Sequence, residues 1–151
     1  MSGLRALQFV ALVLTALALA PAGAHLFALP NKIQLPADQY FVTQGIYRGW
    51  AVLGVLLLAA LAATLALAYA VRATGAPFWF AIAAFVAIVL NLAIFFAWTY
   101  PANVATDNWT HIPANWEHLR AQWEYSHAAN AVILFVAFCS VALSTLLAER
   151  A

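Results

Sequence analysis

One polar stretch of this 151-residue chain carries the residue types that do chemistry. Residues 115–130 read N-W-E-H-L-R-A-Q-W-E-Y-S-H-A-A-N. Glu124 and His127 are three residues apart, so a helix would project the carboxylate and the imidazole from adjacent turns. The imidazole could then act as a general base that the carboxylate orients. Arg120 could give a positive charge to an anion such as an enolate. We therefore predict that His127, Arg120 and Glu124 are catalytic residues.

The same stretch predicts a stripe along one helix face. At 100° per residue its members fall within an arc of about 80°. They are Trp116, Arg120, Trp123, His127 and Asn130. Further polar or aromatic candidates stand near other spans, where an amide needs a partner in another helix. The predicted substrate-binding residues are Trp116, Trp123, Asn91, Asn130 and Tyr47.

The histidines and the carboxylate also suit a transition metal. We predict His25, His127 and Glu124 as the metal ligands if a metal binds. The Glu-x-x-His spacing occurs in di-iron bundles, but those need two copies and two further glutamates. Outside this helix the sequence offers only Glu149. We expect one transition metal or none, and haem is less favoured because only His25 and His127 stand on spans.

Structural explanations compete with each of these roles. His127 could be an interfacial residue that bonds to Glu124 or Asn91. Arg120 stands three residues after Glu117 and four before Glu124, so it could form a structural ion pair with either carboxylate.

Composition defines the class of protein. Hydrophobic residues make up 67% of the chain and charged residues 7%, and the mean hydropathy is +0.92. Soluble domains do not have such values, so the protein is predicted to lie in a lipid bilayer. The net charge of +1 gives no basic field for nucleic acid. Cys139 is the single cysteine, which excludes an internal disulfide and a CxxC redox pair.

Hydropathy predicts one all-α domain over residues 1–151, a four-transmembrane-helix bundle. The predicted spans are residues 4–29, 49–71, 78–99 and 126–148. A helix over 116–147 would be about 48 Å long, more than the hydrocarbon core of roughly 30 Å, so its first turns should protrude.

Several boundaries follow from prolines and polar residues. Residues 30–37 are predicted to form a loop, after which Asp38 is a candidate N-cap. The helix from residue 39 is predicted to run without a break through Trp50 into the second span. Pro101 is predicted to end the third span.

The first span also fits a signal peptide. Arg5 precedes an apolar run, and Ala22-Gly23-Ala24 fits a cleavage site that would make His25 a new N-terminus. We favour an uncleaved helix that is kinked at Pro21.

Four spans place the first and third connections on one side of the membrane. All four histidines and five of the six tryptophans then lie near that face. Arg5, Arg72 and Arg150 occupy the short ends and turn, so the positive-inside rule favours cytoplasmic termini and an outer histidine face. We expect a multi-pass protein of the cell inner (cytoplasmic) membrane.

The pattern W-x-x-L-R-x-x-W-x-x-x-H, from Trp116 to His127, enters the last apolar span. In a four-span chain of this length it resembles the family of small membrane proteins that contains the anthrone oxygenases of polyketide pathways. Arg120, Trp123 and His127 match position by position. The resemblance is clearest over residues 115–147, and Asn130 stands where many relatives are expected to have arginine. It implies oxidation of a lipophilic aromatic ring carbon to a quinone by dioxygen, without a firmly established cofactor.

Three functions remain open at this point. We favour an oxygenase-like protein that acts on a lipophilic aromatic or quinone-type small molecule at the membrane interface. The alternatives are a haem- or metal-binding electron-transfer protein and a non-catalytic accessory subunit of a larger membrane complex. A homo-oligomer is compatible with each function.

Overall fold

The computed structural model describes residues 3–148, which contain helices and no strand. The α-helices are α1 (Gly3–Lys32), α2 (Ala37–Gln44), α3 (Gly54–Ala70), α4 (Ala76–Ile94), α5 (Tyr100–Ala105) and α6 (Trp116–Ala148). Two 3₁₀ helices, Gly45–Tyr47 and Trp50–Leu53, connect α2 to α3, and a π-helical turn, Phe95–Thr99, joins α4 to α5. Two residues considered above, Glu149 as a glutamate outside the last helix and Arg150 as a basic residue of the C-terminal end, lie outside the described residues.

In the described residues, 3–148, four helical segments are long and apolar enough to cross a membrane. They are Gly3–Lys32, Trp50–Ala70, Ala76–Ala105 and Trp116–Ala148. The predicted all-α, four-transmembrane-helix fold is therefore confirmed, and the chain is a multi-pass membrane protein.

The four spans form a closed ring in chain order. Helix α6 packs against α1 and α4, and α3 packs against the same two helices. Small side chains such as Ala11, Ala81 and Ala84 are fully buried between the helices, which lets the backbones approach closely. Large apolar side chains such as Phe9 and Leu58 point outward, because lipid solvates them as well as a core would.

The first helix is longer than predicted. It continues through Pro30 to Lys32, so residues 33–36 are the connection. Pro30 sits in the last turn, where the loss of one amide donor does not prevent the next residues from bonding, and the Ile33 amide still donates to the Leu29 carbonyl at 3.0 Å. The extra turn carries Lys32 to the interior of the protein, where its side chain is 4% exposed.

The predicted unbroken helix from residue 39 into the second span is wrong. Helix α2 ends at Gln44, and the chain turns at Gly49, whose φ of 85° is left-handed. Glycine reaches this region without a Cβ clash, so the helix can break there. The N-cap prediction is also wrong, because Pro36 occupies that position and Asp38 lies in the first turn of α2. In this position the negative charge of Asp38 still interacts favourably with the helix dipole.

The prediction that Pro101 ends the third span is wrong as well. The chain passes through the π-helical turn and continues as α5, with Pro101 directly after the π turn. The π turn is tied to α6 by two bonds. The Gln122 amide donates to the Trp98 carbonyl at 2.7 Å, and the Thr99 and Ser126 hydroxyls share a bond of 2.8 Å.

Helix α6 is one continuous rod, as predicted. Its first turns do not stand alone above the bundle, because α2, α5 and the connection before α6 pack around them. The buried residues of this outer cluster are Tyr40, Ala102, Trp109, Leu119 and Trp123.

Candidate functional site: an aromatic cavity at the interface

A cavity of about 540 Å³ lies between the spans, just below the outer cluster. Its exposed lining consists of three polar residues and four small ones, which are Arg48, Asn108, Thr110, Gly45, Gly49, Ala51 and Gly54. Its far end is apolar and is lined by residues such as Leu57 and Leu134. This volume is within the usual range for small-molecule sites.

Two stacked imidazoles form the centre of the cavity wall. Helices α1 and α6 pack together and bring His25 and His127 face to face, with 4.0 Å between ring centroids and 22° between ring planes. The Trp123 ring meets both imidazoles edge-on, at 5.0 Å and 4.2 Å. The Tyr47 ring lies 4.3 Å from His25. The rings enclose a pocket that suits a flat aromatic molecule.

Two asparagines line the same cavity deeper in the bundle. The Asn91 side-chain amide donates to the Asn130 backbone carbonyl at 3.4 Å, which links α4 to α6. Both asparagines are buried, at 4% and 5% exposed. This is the cross-helix bond expected of amides within spans.

Three buried side chains that line the cavity have polar atoms without a hydrogen-bond partner. These atoms are Nδ1 of His25, Oδ1 of Asn130, and Oε1 and Nε2 of Gln44. Their residues are 6%, 5% and 5% exposed, respectively. Unpaired polar groups at such burial are uncommon in proteins, and a hydrogen-bond partner for any of these atoms would lower the cost of burying it.

Glu124 lies outside the lining of the cavity and takes part in a buried ionic cluster. Its Oε1 is 2.9 Å from Nζ of Lys32, and the Tyr40 hydroxyl donates to the same oxygen at 2.9 Å. Glu124 is 1% exposed. Burial, and then the neighbouring Glu124 charge, raise the pKa of Tyr40 above its usual range. Tyr40 therefore stays protonated and remains a donor to the carboxylate.

The sequence analysis missed Lys32 and Tyr40. The Lys32 ammonium lies 4.7 Å from the Tyr47 ring centroid and 4.9 Å from the Trp123 ring centroid, so it supports the cavity wall from behind. One signal was available. Lys32 follows His25 by seven residues, which is two helical turns, and would share its face if α1 continued past Pro30.

Arg120 links α6 to the connection after α1 by a hydrogen bond. Its Nη1 donates to the Leu35 carbonyl at 2.7 Å, and its guanidinium lies 4.5 Å from the Trp116 ring centroid. Within residues 3–148, Arg120 forms no ion pair with Glu117 or Glu124. Neither Arg120 nor Trp116 is among the cavity residues.

The predicted site residues therefore divide into two groups. The cavity is lined by His25, Tyr47, Asn91, Trp123, His127 and Asn130. The outer group of Trp116, Arg120 and Glu124 lies against α2 and the end of α1.

The predicted metal ligands are not arranged as one set. Among residues 3–148, no three His, Cys, Asp or Glu side chains form a group that could hold a metal ion. The lone pairs of an imidazole lie in its ring plane. In two stacked rings they therefore run side by side instead of converging on one point. Glu124 meanwhile contacts Lys32 and Tyr40.

No protein-family model matches this sequence, and no curated protein or solved structure matches it either.

Proposed function

We propose that the protein is an oxygenase-like membrane enzyme that acts on a lipophilic aromatic or quinone-type molecule at the membrane interface. The observation that carries this proposal is the pair of stacked imidazoles inside an aromatic cavity that spans polar and apolar layers. The cavity has both the flat walls that bind an aromatic ring and a group able to accept its proton.

The proposed reaction converts an activated ring methylene to a ketone with dioxygen as the oxidant. One oxygen atom of dioxygen enters the carbonyl, and the other leaves as water with the two methylene hydrogens. His127 accepts the first proton, and the ring carries the resulting negative charge as an enolate. The resemblance to the anthrone oxygenases supports the choice of dioxygen.

Four polar residues in the cavity wall and behind it support this chemistry. In this proposal the amides of Asn91 and Asn130, which line the cavity, hold an oxygen of the substrate. Glu124 and Arg120 act as positioning residues, because their contacts fix Lys32, Tyr40 and the connection after α1. This replaces the direct catalytic roles expected for them from the sequence.

The proposed location is the cytoplasmic membrane, with the histidine face outside. The short turn containing Arg72 would then face the cytoplasm, in agreement with the positive-inside rule.

The test is an anthrone oxidation assay on the purified protein in lipid nanodiscs. Quinone absorbance and oxygen consumption are followed for the unmodified protein and for His127→Ala and His111→Ala. His111 is exposed and outside the cavity, so His111→Ala is the matched control. We expect His127→Ala to lose at least about 100-fold in rate, the typical contribution of a general base.

Two other measurements separate the competing functions. A Soret band or stoichiometric metal in the purified protein would favour electron transfer. Inactivity of the unmodified protein with neither signal would favour the accessory subunit. Equal rates in all three proteins would sink the proposed role of His127.

A further inference from the structure

The cavity changes character along its length. On α6 its lining runs from Trp123 through His127 and Asn130 to Leu134, and the eleven helical steps between the first and the last of these residues rise about 16 Å. The exposed lining contains the polar residues Arg48, Asn108 and Thr110 beside small residues such as Ala51 and Gly54. The middle contains imidazole and amide groups, and the far end on α6 is the apolar Leu134. A ligand that matches this gradient has a polar ring and an apolar part that points into the membrane.

The middle of the cavity specifies the polar atoms of that ligand. His25 Nδ1 and Asn130 Oδ1 are buried without partners, so a ligand that forms a hydrogen bond with either atom gains affinity over one that does not. A hydroxyl group both donates and accepts a hydrogen bond, so it satisfies an imidazole or an amide in either orientation. A quinone carbonyl or an ether oxygen only accepts.

We infer that the cavity binds a hydroxylated aromatic ring that carries an apolar chain, such as an alkyl-substituted phenol or quinol. The ring lies against the imidazoles and Tyr47, with its hydroxyl at the level of His25 and Asn130. The chain runs past Ala18 and Leu57 towards Leu134.

The opposite orientation conflicts with the lining. A chain directed towards the opening would meet Arg48, Asn108 and Thr110, and the hydroxyl would be left among Leu57, Leu134 and Ala18. Burial of a hydroxyl without a partner is unfavourable. The positions of the imidazole and amide groups therefore favour the orientation with the hydroxyl in the middle of the cavity and the chain towards Leu134.

This inference rests on the site used in the proposed function, but it concerns binding and not oxidation. The test therefore measures binding without oxygen. A decyl-substituted benzoquinol is titrated under argon into the protein in nanodiscs, and quenching of tryptophan fluorescence reports occupancy near Trp50 and Trp123. Two comparison ligands are the dimethyl ether of this quinol and benzoquinol without the chain. Affinities are expressed relative to the ligand concentration in the lipid, so that partitioning cancels.

We expect the decyl quinol to bind about tenfold more tightly than its dimethyl ether, the loss typical of one hydrogen bond to a buried group. It should also bind more tightly than the quinol without a chain, before the correction for partitioning and after it. Equal affinities for quinol and ether, or for the ligands with and without the chain, would overturn the inference.

The Asn130→Leu variant tests whether Asn130 is responsible for the preference for the quinol over its ether. It should reduce the affinity for the quinol to that for the ether and leave the ether unchanged, because the backbone carbonyl that binds Asn91 is retained. Asn31→Leu is the matched control, since Asn31 is an exposed helical residue outside the cavity, and it should keep the discrimination. Should Asn130→Leu fail to fold, the comparison of ligands on the unmodified protein still decides.

Failure of this inference can be distinguished from failure of the proposed reaction. Selective quinol binding without anthrone oxidation would retain the ligand class and reject the reaction. Anthrone oxidation without selective binding would retain the reaction and reject the hydroxyl-and-chain ligand.

Discussion

Glu124 is the residue around which the charged groups of the outer half are arranged. Its carboxylate accepts a hydrogen bond from Tyr40 and pairs with Lys32. Lys32 in turn lies against the rings of Tyr47 and Trp123, two walls of the cavity. A buried ion pair of this kind contributes little net stability compared with apolar packing. Its value here is geometric, because it joins α1, α2 and α6 behind the proposed site.

The first prediction at the residue scale concerns this pair. Lys32→Met should lower the free energy of unfolding by about 3 kcal/mol, because it leaves the Glu124 charge buried and without its cation. The double variant Lys32→Met with Glu124→Gln should recover most of that loss, since it removes both charges. Stability is measured by denaturant unfolding in mixed micelles.

A matched control for this cycle is Arg48→Met, which removes a cation from an exposed position. It should change the stability by no more than about 0.5 kcal/mol. Additive losses in the Lys32 and Glu124 double variant would show that the two side chains act independently and would contradict the pairing.

At the scale of elements, the interruptions of the helices place the cavity residues. The turn at Gly49 separates Tyr47 from Trp50. It allows both rings to approach His25, with centroid distances of 4.3 Å and 5.7 Å. The π turn leads into α5, which carries Asn103. The Asn103 side chain accepts hydrogen bonds from the Trp109 and Trp123 indoles at 3.0 Å and 2.8 Å and so positions two rings of the cavity wall. The walls of the cavity thus depend on irregular backbone.

The prediction at this scale is that Gly49→Ala lowers the free energy of unfolding by about 1 kcal/mol. A Cβ at this position would meet no atom within 4 Å, so the cost arises from the φ of 85° and not from a clash. Thermal unfolding of the protein in detergent measures the change. Gly54→Ala is the control, because Gly54 has a right-handed φ of −57° and its Cβ would also meet nothing.

The control variant should be neutral or slightly stabilising, because alanine is the better helix former. An equal loss of stability in the two alanine variants would mean that the left-handed turn is not the cause.

At the scale of the whole molecule, the ring of four spans puts the cavity at one end. The buried polar groups of this end contrast with the other half of the core, where Ala63, Leu67 and Val141 belong to an apolar cluster. Exposed apolar side chains surround the bundle, as a lipid environment requires. The buried ion pair and the stacked imidazoles therefore lie at one end of the protein, whereas the buried polar side chains of the other end are uncharged, such as Gln8, Thr15 and Ser144.

The corresponding prediction concerns sidedness. Reporter fusions after Arg72 and after Ala151 should lie on the same side of the membrane, and a fusion at Asp107 should lie on the other. The reason is that two spans separate Arg72 from the C-terminal end and one separates it from Asp107. Alkaline phosphatase and green fluorescent protein activities provide the measurement. Opposite sides for the Arg72 and Ala151 fusions would end the four-span topology.

Some features were determined by the sequence alone because their physical causes are local. The spans follow from runs of apolar residues, and the continuity of α6 follows from the absence of any breaker between Trp116 and Ala148. The inward position of Trp123, His127 and Asn130 follows from the helical repeat. A polar helix face is unfavourable in contact with lipid, so it turns towards the interior of the bundle.

Only the tertiary structure decided which side chains meet. The Glu124 carboxylate could have paired with Arg120 on its own helix, yet it binds Lys32 and Tyr40 from α1 and α2. The sequence also did not reveal that α1 continues past Pro30 or that the chain breaks at Gly49. These outcomes depend on the packing of several helices at once, because proline and glycine permit more than one local conformation. The conformation that buries the polar groups with partners from other helices is the one that the folded protein adopts.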